Sequence, residues 1–497
     1  MSAPVLYVGI RALSEPAARW ALLFDERLAR LLWNTTALAA AVGVVAGALG
    51  VSLAWLVNRT DLPGRRTLRW LLALPFAIPP YVGAMAYVIV FGPRGWVSRA
   101  WGSTPIDMYS FAGVAFVLSV FTFPYIYLVV GSAFGRLSRS HEDAARSLGL
   151  GRWAILRRIT IPMLRPAIGA GLVLVVLYVL SDFGAVALLR YSTFTTAIYY
   201  QMGGFDTGAA AILSTVLIGV TLLVLGAESL SRRRSRFYEG TGASGSSRRV
   251  ELGWARWPAV AYVCTVFAVS ALVPLAVLGY WAWQGVFLTG LDARFPEFAL
   301  NTLQAAGIAA TAAMVLAVPV VYLRSRHPSR PSWAIERLAL SGYALPGVIV
   351  ALGVIFFSLR LAPAIYGTML MVATAYIIRF LPQALQSAAA SLASVSPRID
   401  EAARVAGLSP VAVMGRVISR LIMPGVLAGG ALVFVSAAKE LPATLLLRPA
   451  GFDTLSVRVW VEASEGAYHL AAPPALVMVL LSLVPLKLML DRFKEPS

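Results

Sequence analysis

Long apolar segments separated by short polar ones run through most of this sequence. A helix that crosses a bilayer needs about 20 predominantly apolar residues. Glycine and proline occur within several of these segments, which neighbouring helices of a bundle can accommodate. The pattern therefore predicts an all-α polytopic membrane protein. We expect eleven spans, near residues 31–57, 70–91, 111–134, 167–189, 209–230, 257–284, 298–323, 338–360, 366–386, 424–447 and 469–492.

The composition narrows the class of protein. Hydrophobic residues make up 59% of the 497 residues and charged residues 13%, whereas soluble proteins average about 25% charged residues. The net charge of +19 does not indicate nucleic-acid binding, because the arginines cluster in short segments between the apolar runs. One cysteine and three separated histidines offer neither a disulfide framework nor a metal cluster. We therefore expect no catalytic residue, no metal site and no cofactor in this chain.

The basic connections predict the side of the membrane on which each loop lies. Cytoplasmic connections of membrane proteins carry an excess of lysine and arginine. The other connections hold far fewer basic residues, which places residues 14–30 outside. We assign to the cytoplasm the connections 58–69, 135–166, 231–256, 324–337, 387–423 and 487–497.

The two halves of the chain are similar in sequence. Corresponding residues lie 267 positions apart early in the repeat and 258 apart later, because the second copy has a shorter outer loop. The first offset relates Asn34 to Asn301 and Pro79 to Pro346. The second relates Pro124 to Pro382, Arg158 to Arg416, Pro166 to Pro424 and Asp182 to Glu440.

This repeat predicts two parallel six-helix halves related by a pseudo-twofold axis, with eleven or twelve spans in total. We divide the chain into a first transmembrane domain, 1–230, a basic linker, 231–256, and a second domain, 257–497. The linker is rich in Ser, Gly and Arg, which is typical of a flexible segment, and its arginines suit anionic lipid headgroups.

The start of the chain departs from the repeat. If residues 14–30 lie outside, the first half lacks a helix that the second half has at 257–284. The run "APVLYVGIRAL" (3–13) resembles the end of that helix, but it is too short to span a bilayer. Two interpretations stay open, a first helix that is clipped and a plain mobile extension.

A polar segment recurs at equivalent cytoplasmic positions, as "EDAARSLGLGR" (142–152) and "DEAARVAGLSP" (400–410). Acidic residues favour a helix N-terminus, alanines favour the helix, and glycine permits a sharp turn after it. Each copy therefore predicts a short helix–turn–helix on the cytoplasmic surface. One copy would suit an ordinary amphipathic loop, whereas two copies favour a partner that docks once on each half.

The pattern E-A-A-x-x-x-G resembles the EAA loop of bacterial ABC-importer permeases. It is complete at 401–407 and has Asp in place of Glu at 143–149. The segments "SDFGAVALLRYSTFTTAIYYQ" (181–201) and "KELPATLLLRPAGFDTLSVRVW" (439–460) resemble the fused, double-length permeases of ferric-iron importers. The resemblance implies that the loops are coupling helices for two cytoplasmic ATP-binding subunits. The implied coupling residues are Glu142, Asp143, Ala144, Ala145, Gly149, Asp400, Glu401, Ala402, Ala403 and Gly407.

The resemblance also implies a bacterial inner-membrane location and a periplasmic or lipoprotein substrate-binding protein. A phosphate-binding P-loop needs a Gly-Lys-Ser/Thr sequence, and none of the three lysines follows a glycine. We therefore expect ATP and magnesium to be bound by the partner subunits, and no enzyme activity in this chain. Permeases for thiamine, phosphonate or polyamines remain alternatives, and a secondary transporter is the alternative from another class.

Three ionisable residues, Asp182, Lys439 and Glu440, lie in predicted spans. Placing such a group in a span costs about 2.5–3.5 kcal/mol on insertion scales. They are candidates either for a cation pathway or for a charge network that fixes helix packing, in which Lys439 or Arg379 neutralises a carboxylate. Tyr191, Tyr199 and Tyr200 lie near outer ends, where an aromatic belt is a better interpretation than an iron site.

Overall fold

The computed structural model describes residues 3–23, 26–136, 145–233 and 250–491. Within these ranges the chain is helical apart from its loops and one isolated β-bridge between Thr60 and Val250. Most of the predicted linker, 231–256, lies outside the described residues, and the three-part division of the chain stays a prediction.

The first half of the chain contains twelve described α-helices that carry the argument below. They are α1 (Ala3–Leu13), α2 (Ala17–Leu23), α3 (Glu26–Arg59), α4 (Arg65–Leu71), α5 (Pro80–Phe91), α6 (Trp96–Trp101), α7 (Phe111–Arg136), α8 (Arg152–Ile155), α9 (Ile161–Ser181), α10 (Gly184–Leu188), α11 (Phe194–Gly203) and α12 (Thr207–Arg233). A 3₁₀ segment covers Leu74–Ala77, and a π-helical segment, Leu156–Thr160, joins α8 to α9.

The second half continues in the same manner. Its helices are α13 (Arg256–Phe267), α14 (Val273–Trp283), α15 (Phe295–Arg326), α16 (Arg330–Leu340), α17 (Gly347–Leu361), α18 (Met369–Ala393), α19 (Arg398–Val405), α20 (Pro410–Ala412), α21 (Ser419–Ala438), α22 (Pro442–Leu447), α23 (Leu455–Glu465) and α24 (Tyr468–Asp491). Short 3₁₀ segments lie at Gly253–Ala255, Ser341–Ala344 and Pro363–Ile365, and π-helical segments at Ala268–Leu272, Gln284–Thr289 and Val413–Ile418.

Seven described helical stretches are long and apolar enough to cross a membrane, and a bent pair, Arg65–Ala77 with Pro80–Trp101, makes an eighth. Two shorter apolar helices, Gly347–Leu361 and Tyr468–Leu483, fall in other predicted spans. α18 fills the remaining one, with Arg379 and Gln383 lowering its hydropathy. The prediction of an all-α polytopic membrane protein is confirmed.

Two of the predicted spans, 70–91 and 338–360, are broken helices. The first pair is bent by 91° at the break. Ile78 and Leu345, which precede Pro79 and Pro346, have extended backbones, because the ring of a following proline disfavours the helical conformation. The two prolines are equivalent in the repeat, so each half breaks at the same point.

The described chain forms two compact units that do not follow the two halves of the sequence. One unit contains residues 28–193 and 219–277, and the other contains residues 1–27, 194–218 and 278–497. Each unit therefore includes a helix that belongs by sequence to the other copy of the repeat. In the first of these units Tyr87 of α5 donates a hydrogen bond to the carbonyl of Val269.

In the other unit the N-terminal helix α1 packs against α17, with the rings of Tyr7 and Phe356 6.0 Å apart. The described N-terminal segment is therefore a packed helix of its unit. The turn after α1 is held by Glu15, which lies 2.8 Å from both Arg11 and Arg19. The hydrogen bond to Glu15 and the nearby charge of Asp206 raise the pKa of the Arg19 guanidinium.

Close helix packing in both units depends on small residues. The Cα of Gly171 in α9 faces Ile126 of α7, and a Cβ at Gly171 would lie 3.0 Å from the Ile126 Cα. The equivalent Gly429 in α21 faces Ala384 of α18 at the same distance. Membrane helices associate through such small residues, because they let the backbones approach closely.

We expect Gly171→Leu to destabilise its unit, because the larger side chain must push α9 away from α7. The expected loss is about 1–3 kcal/mol of unfolding free energy, as for other overpacked sites. Gly169→Leu is the matched control in the same helix, since no atom lies within 4 Å of a Cβ at that position. Thermal unfolding of the purified protein in detergent measures both variants, and equal midpoints would contradict the packing role of Gly171.

Candidate coupling loops and buried charge sites

The second polar repeat, at residues 400–410, lies partly in the short helix α19 and continues into a tight turn. Asp400 and Glu401 lie in its first turn, where negative charge is favoured by the helix dipole. Gly407 ends the helix with φ +89°. The Gly407 N–H donates to the Arg404 carbonyl (2.9 Å) and the Leu408 N–H to the Ala403 carbonyl (3.1 Å). This pair of bonds is the Schellman motif, which favours glycine at the left-handed position.

The first polar repeat ends in the same turn. Gly149 has φ +83°, its N–H donates to the Arg146 carbonyl (2.9 Å), and the Leu150 N–H donates to the Ala145 carbonyl (3.1 Å). Ala145 is buried. Glu142, Asp143 and Ala144, which were predicted to contact a partner, lie outside the described residues. The helix-ending glycines of both copies thus have the same backbone geometry.

The two faces of the second loop differ in burial. Glu401 and Ala402 are exposed, whereas Asp400 is buried. Ala403 packs against the hydrophobic core of its unit. The exposed face ends in two apolar side chains, Val405 at 90% and Val411 at 73% exposure. The predicted contact residue Asp400 does not belong to this exposed face.

A partly buried arginine that the sequence prediction did not include contacts this loop. The Nε of Arg326, the last residue of α15, lies 3.1 Å from Oδ2 of Asp400. Its Nη2 donates to the carbonyl of Val395 at 2.7 Å. A signal was present in the sequence, since the 267 offset places Arg59, the last residue of α3, opposite Arg326.

The predicted pathway residues lie at breaks between helices rather than within spans. α9 ends at Ser181, directly before Asp182, and α21 ends at Ala438, directly before Lys439. Asp182 Oδ1 accepts a hydrogen bond from the Ala185 N–H (3.1 Å), and Glu440 Oε1 accepts one from the Ala443 N–H (3.1 Å). Each carboxylate thereby accepts a hydrogen bond from the first turn of the short helix that follows, α10 or α22.

Glu440 is also part of a charge network within its unit. Nη1 of Arg379 in α18 contacts Oε2 of Glu440. The backbone carbonyl of Glu440 accepts hydrogen bonds from the hydroxyls of Thr444 (2.9 Å) and Ser456 (2.8 Å). These contacts favour the packing interpretation for Glu440, with Arg379 as its neutralising partner. The first copy has Phe121 at the position equivalent to Arg379.

The three outer tyrosines have aromatic neighbours. The ring of Tyr191 lies 6.1 Å from Phe111, and Tyr199 lies 5.8 Å from Tyr200 and 6.2 Å from Trp460. The aromatic-belt interpretation stays a prediction. Among the residues that the structure describes, no group of three or more His, Cys, Asp or Glu side chains is placed to hold a metal ion.

Both halves of the chain are similar to known transport proteins. The profile of the family described as "Binding-protein-dependent transport system inner membrane component" matches residues 34–237 and 309–494. The Fe(3+)-transport system permease protein FbpB 2 of Haemophilus influenzae is 32% identical over 493 residues, covering 98% of this chain and 94% of the relative. The ferric transport system permease protein FbpB of Actinobacillus pleuropneumoniae is 22% identical over 93% of this chain and 71% of the relative. The sulfate transport system permease protein CysT of Escherichia coli is 28% identical over 44% of this chain and 82% of the relative.

We expect Arg379→Gln to destabilise the second copy, because it leaves the buried Glu440 without its cation. Breaking a buried ion pair from one side costs about 3–5 kcal/mol. Adding Glu440→Gln should recover most of that loss, since a neutral amide no longer needs the guanidinium. Thermal unfolding in detergent compares the single and double variants, and wild-type stability of Arg379→Gln alone would rule the network out.

Proposed function

Because this chain belongs to the family of binding-protein-dependent transport system inner membrane components and is therefore a multi-pass inner-membrane permease of an ABC transporter, we propose that its substrate is ferric iron. The observation that carries this proposal is the length of the match. The Haemophilus influenzae ferric permease aligns with 98% of the chain, including both copies of the repeat, whereas the E. coli sulfate permease aligns with 44%.

The coupling role of the two loops is the second part of the proposal. α19 and the loop at 145–151 each dock one cytoplasmic ATP-binding subunit, which supplies ATP and magnesium. The repeated Schellman turns support this role, because they hold both loops in one shape. The exposed Val405 and Val411 supply apolar contact area, and Glu401 supplies charge at the same face.

Transport then follows from rigid-body motion. ATP binding and hydrolysis move the docked subunits, each loop moves with its subunit, and the attached helices open or close a path for the substrate. A periplasmic or lipoprotein binding protein delivers the ferric iron from outside. This division of tasks requires no catalytic residue and no cofactor in this chain.

The substrate can be tested with purified components. Proteoliposomes that contain this chain, its ATP-binding subunits and a ferric-binding protein should accumulate radioactive iron when ATP is enclosed with the subunits. Relatives in the same family are named for sulfate and molybdenum transport, so sulfate and molybdate, each with its own binding protein, are the matched comparisons. ATP-dependent accumulation of either oxyanion without iron would overturn the ferric assignment.

The coupling role predicts a large effect for Gly407→Val. A β-branched residue at φ +89° strains the turn by about 1–3 kcal/mol, which corresponds to roughly 5- to 150-fold in a docking equilibrium. ATP-driven uptake should fall by that factor while the helical bundle stays folded.

Gly415→Val is the matched control for this loop. Gly415 lies in the π-helical segment after the turn, its φ is not positive, and no atom lies within 4 Å of a Cβ there. Uptake and co-purification of the ATP-binding subunit measure both variants. Equal uptake by Gly407→Val and the wild type would contradict the coupling role.

A further inference from the structure

Arg326 of α15 pairs with Asp400 of the second coupling loop, which is the polar segment at 400–410, and both side chains are largely shielded from solvent. The Arg326 side chain is 11% exposed and the Asp400 side chain 7% exposed, and their closest atoms lie 3.1 Å apart. The neighbours of Asp400 in α19, Ile399 and Glu401, are exposed. We call the exposed side of this loop, which carries Glu401, Val405 and Val411, the docking face. Asp400 therefore points away from the docking face and toward the helix bundle.

A buried carboxylate on a short surface helix requires a reason. Burying an ionised side chain is costly unless it is paired with an opposite charge. Arg326 supplies that charge, and its second contact, from Nη2 to the Val395 carbonyl, fixes the segment that leads into α19. The guanidinium thus binds the coupling loop at two points, before the helix and within it.

Resting on the coupling role proposed above, we propose that Arg326 is a positioning residue that transmits movement of α19 to α15. α15 is a continuous helix of 32 residues, about 48 Å long at 1.5 Å per residue. Its small buried residues, Ala305, Ala309 and Ala313, pack in the core that α18 and α21 share. A displacement of the loop therefore reaches α15 through this ion pair, beside the packing of Ala403 against the core and the contact of Arg404 with His327 at 3.3 Å.

The same helix offers a matched control. Arg324 lies two residues before Arg326, and its Nε pairs with Glu336 of α16 at 2.8 Å. Both partners are about one third exposed, at 37% and 32%, and neither belongs to the coupling loop. Substitution of Arg324 therefore removes an arginine from the same end of α15 and leaves the contacts of α19 unchanged.

The first half has an arginine at the equivalent position. Arg59 ends α3, is buried, and its guanidinium lies 5.3 Å from the ring centre of Phe134. The residue that corresponds to Asp400 is Glu142, which lies outside the described residues. The proposal is therefore made for the second half alone.

The first test measures coupling. Arg326→Gln and Asp400→Asn, reconstituted with the ATP-binding subunits and the binding protein, should transport about tenfold less substrate per ATP hydrolysed, which lies within the usual range of coupling between two sites. The ATP-binding subunit should still co-purify at the wild-type ratio, because the docking face is unchanged. Arg324→Gln should keep the wild-type ratio of transport to hydrolysis.

Exchange of the two charges separates positioning from folding. The double variant Arg326→Asp with Asp400→Arg should recover at least half of the wild-type transport per ATP, whereas each single charge reversal should not. If the exchange fails to recover coupling, or if Arg326→Gln couples as well as Arg324→Gln, the positioning role is wrong.

The second test needs neither partner nor substrate, so it stands even if the transport function is reassigned. In a Cys264→Ser background, which removes the native cysteine, spin labels are attached at Val405→Cys in α19 and Leu370→Cys in α18. Arg326→Gln should broaden the distance distribution between the labels, and Arg324→Gln should leave it narrow. An unchanged distribution in Arg326→Gln would overturn the proposal.

Discussion

Every backbone polar group within the bilayer must be satisfied by the protein, and this constraint governs the arrangement of the described helices. A broken helix leaves N–H groups without partners, and a carboxylate accepts from such groups at the breaks after α9 and α21. Asp182 and Glu440 accept hydrogen bonds from the first N–H groups of α10 and α22. The carboxylates in the predicted spans are therefore explained by the breaks beside them, and Arg379 offsets the charge of Glu440.

The backbone groups of the second polar loop, which lies outside the helix bundle at the cytoplasmic end, must also find hydrogen-bond partners. The Schellman turn satisfies the carbonyls at the end of α19 and requires a left-handed residue, which is Gly407. Arg326 and Asp400 then join this small helix to α15. The ion pair thus joins the first turn of α19 to the bundle, and the Schellman turn fixes the shape of its other end.

Much of this organisation could be predicted because it depends on patterns that are local in the sequence. Apolar segments of about 20 residues identify the spans, and the offsets that relate Asn34 to Asn301 and Asp182 to Glu440 identify the repeat. The glycines of the polar loops predicted the turns that the structure contains. The breaks at Pro79 and Pro346 were missed because continuous hydropathy does not distinguish one bent helix from a straight span.

By itself, the sequence determined the membrane class, the duplicated family domain and the position of both polar loops, since hydropathy, charge and glycine placement act over a few residues. Only the tertiary structure decided that Asp400 is buried while Glu401 is exposed, that Arg326 pairs with Asp400, and that each compact unit includes a helix from the other copy. The physical reason is that these features depend on contacts between residues far apart in the chain. The periodicity of a single helix shows which face is apolar but does not identify the helix against which that face packs.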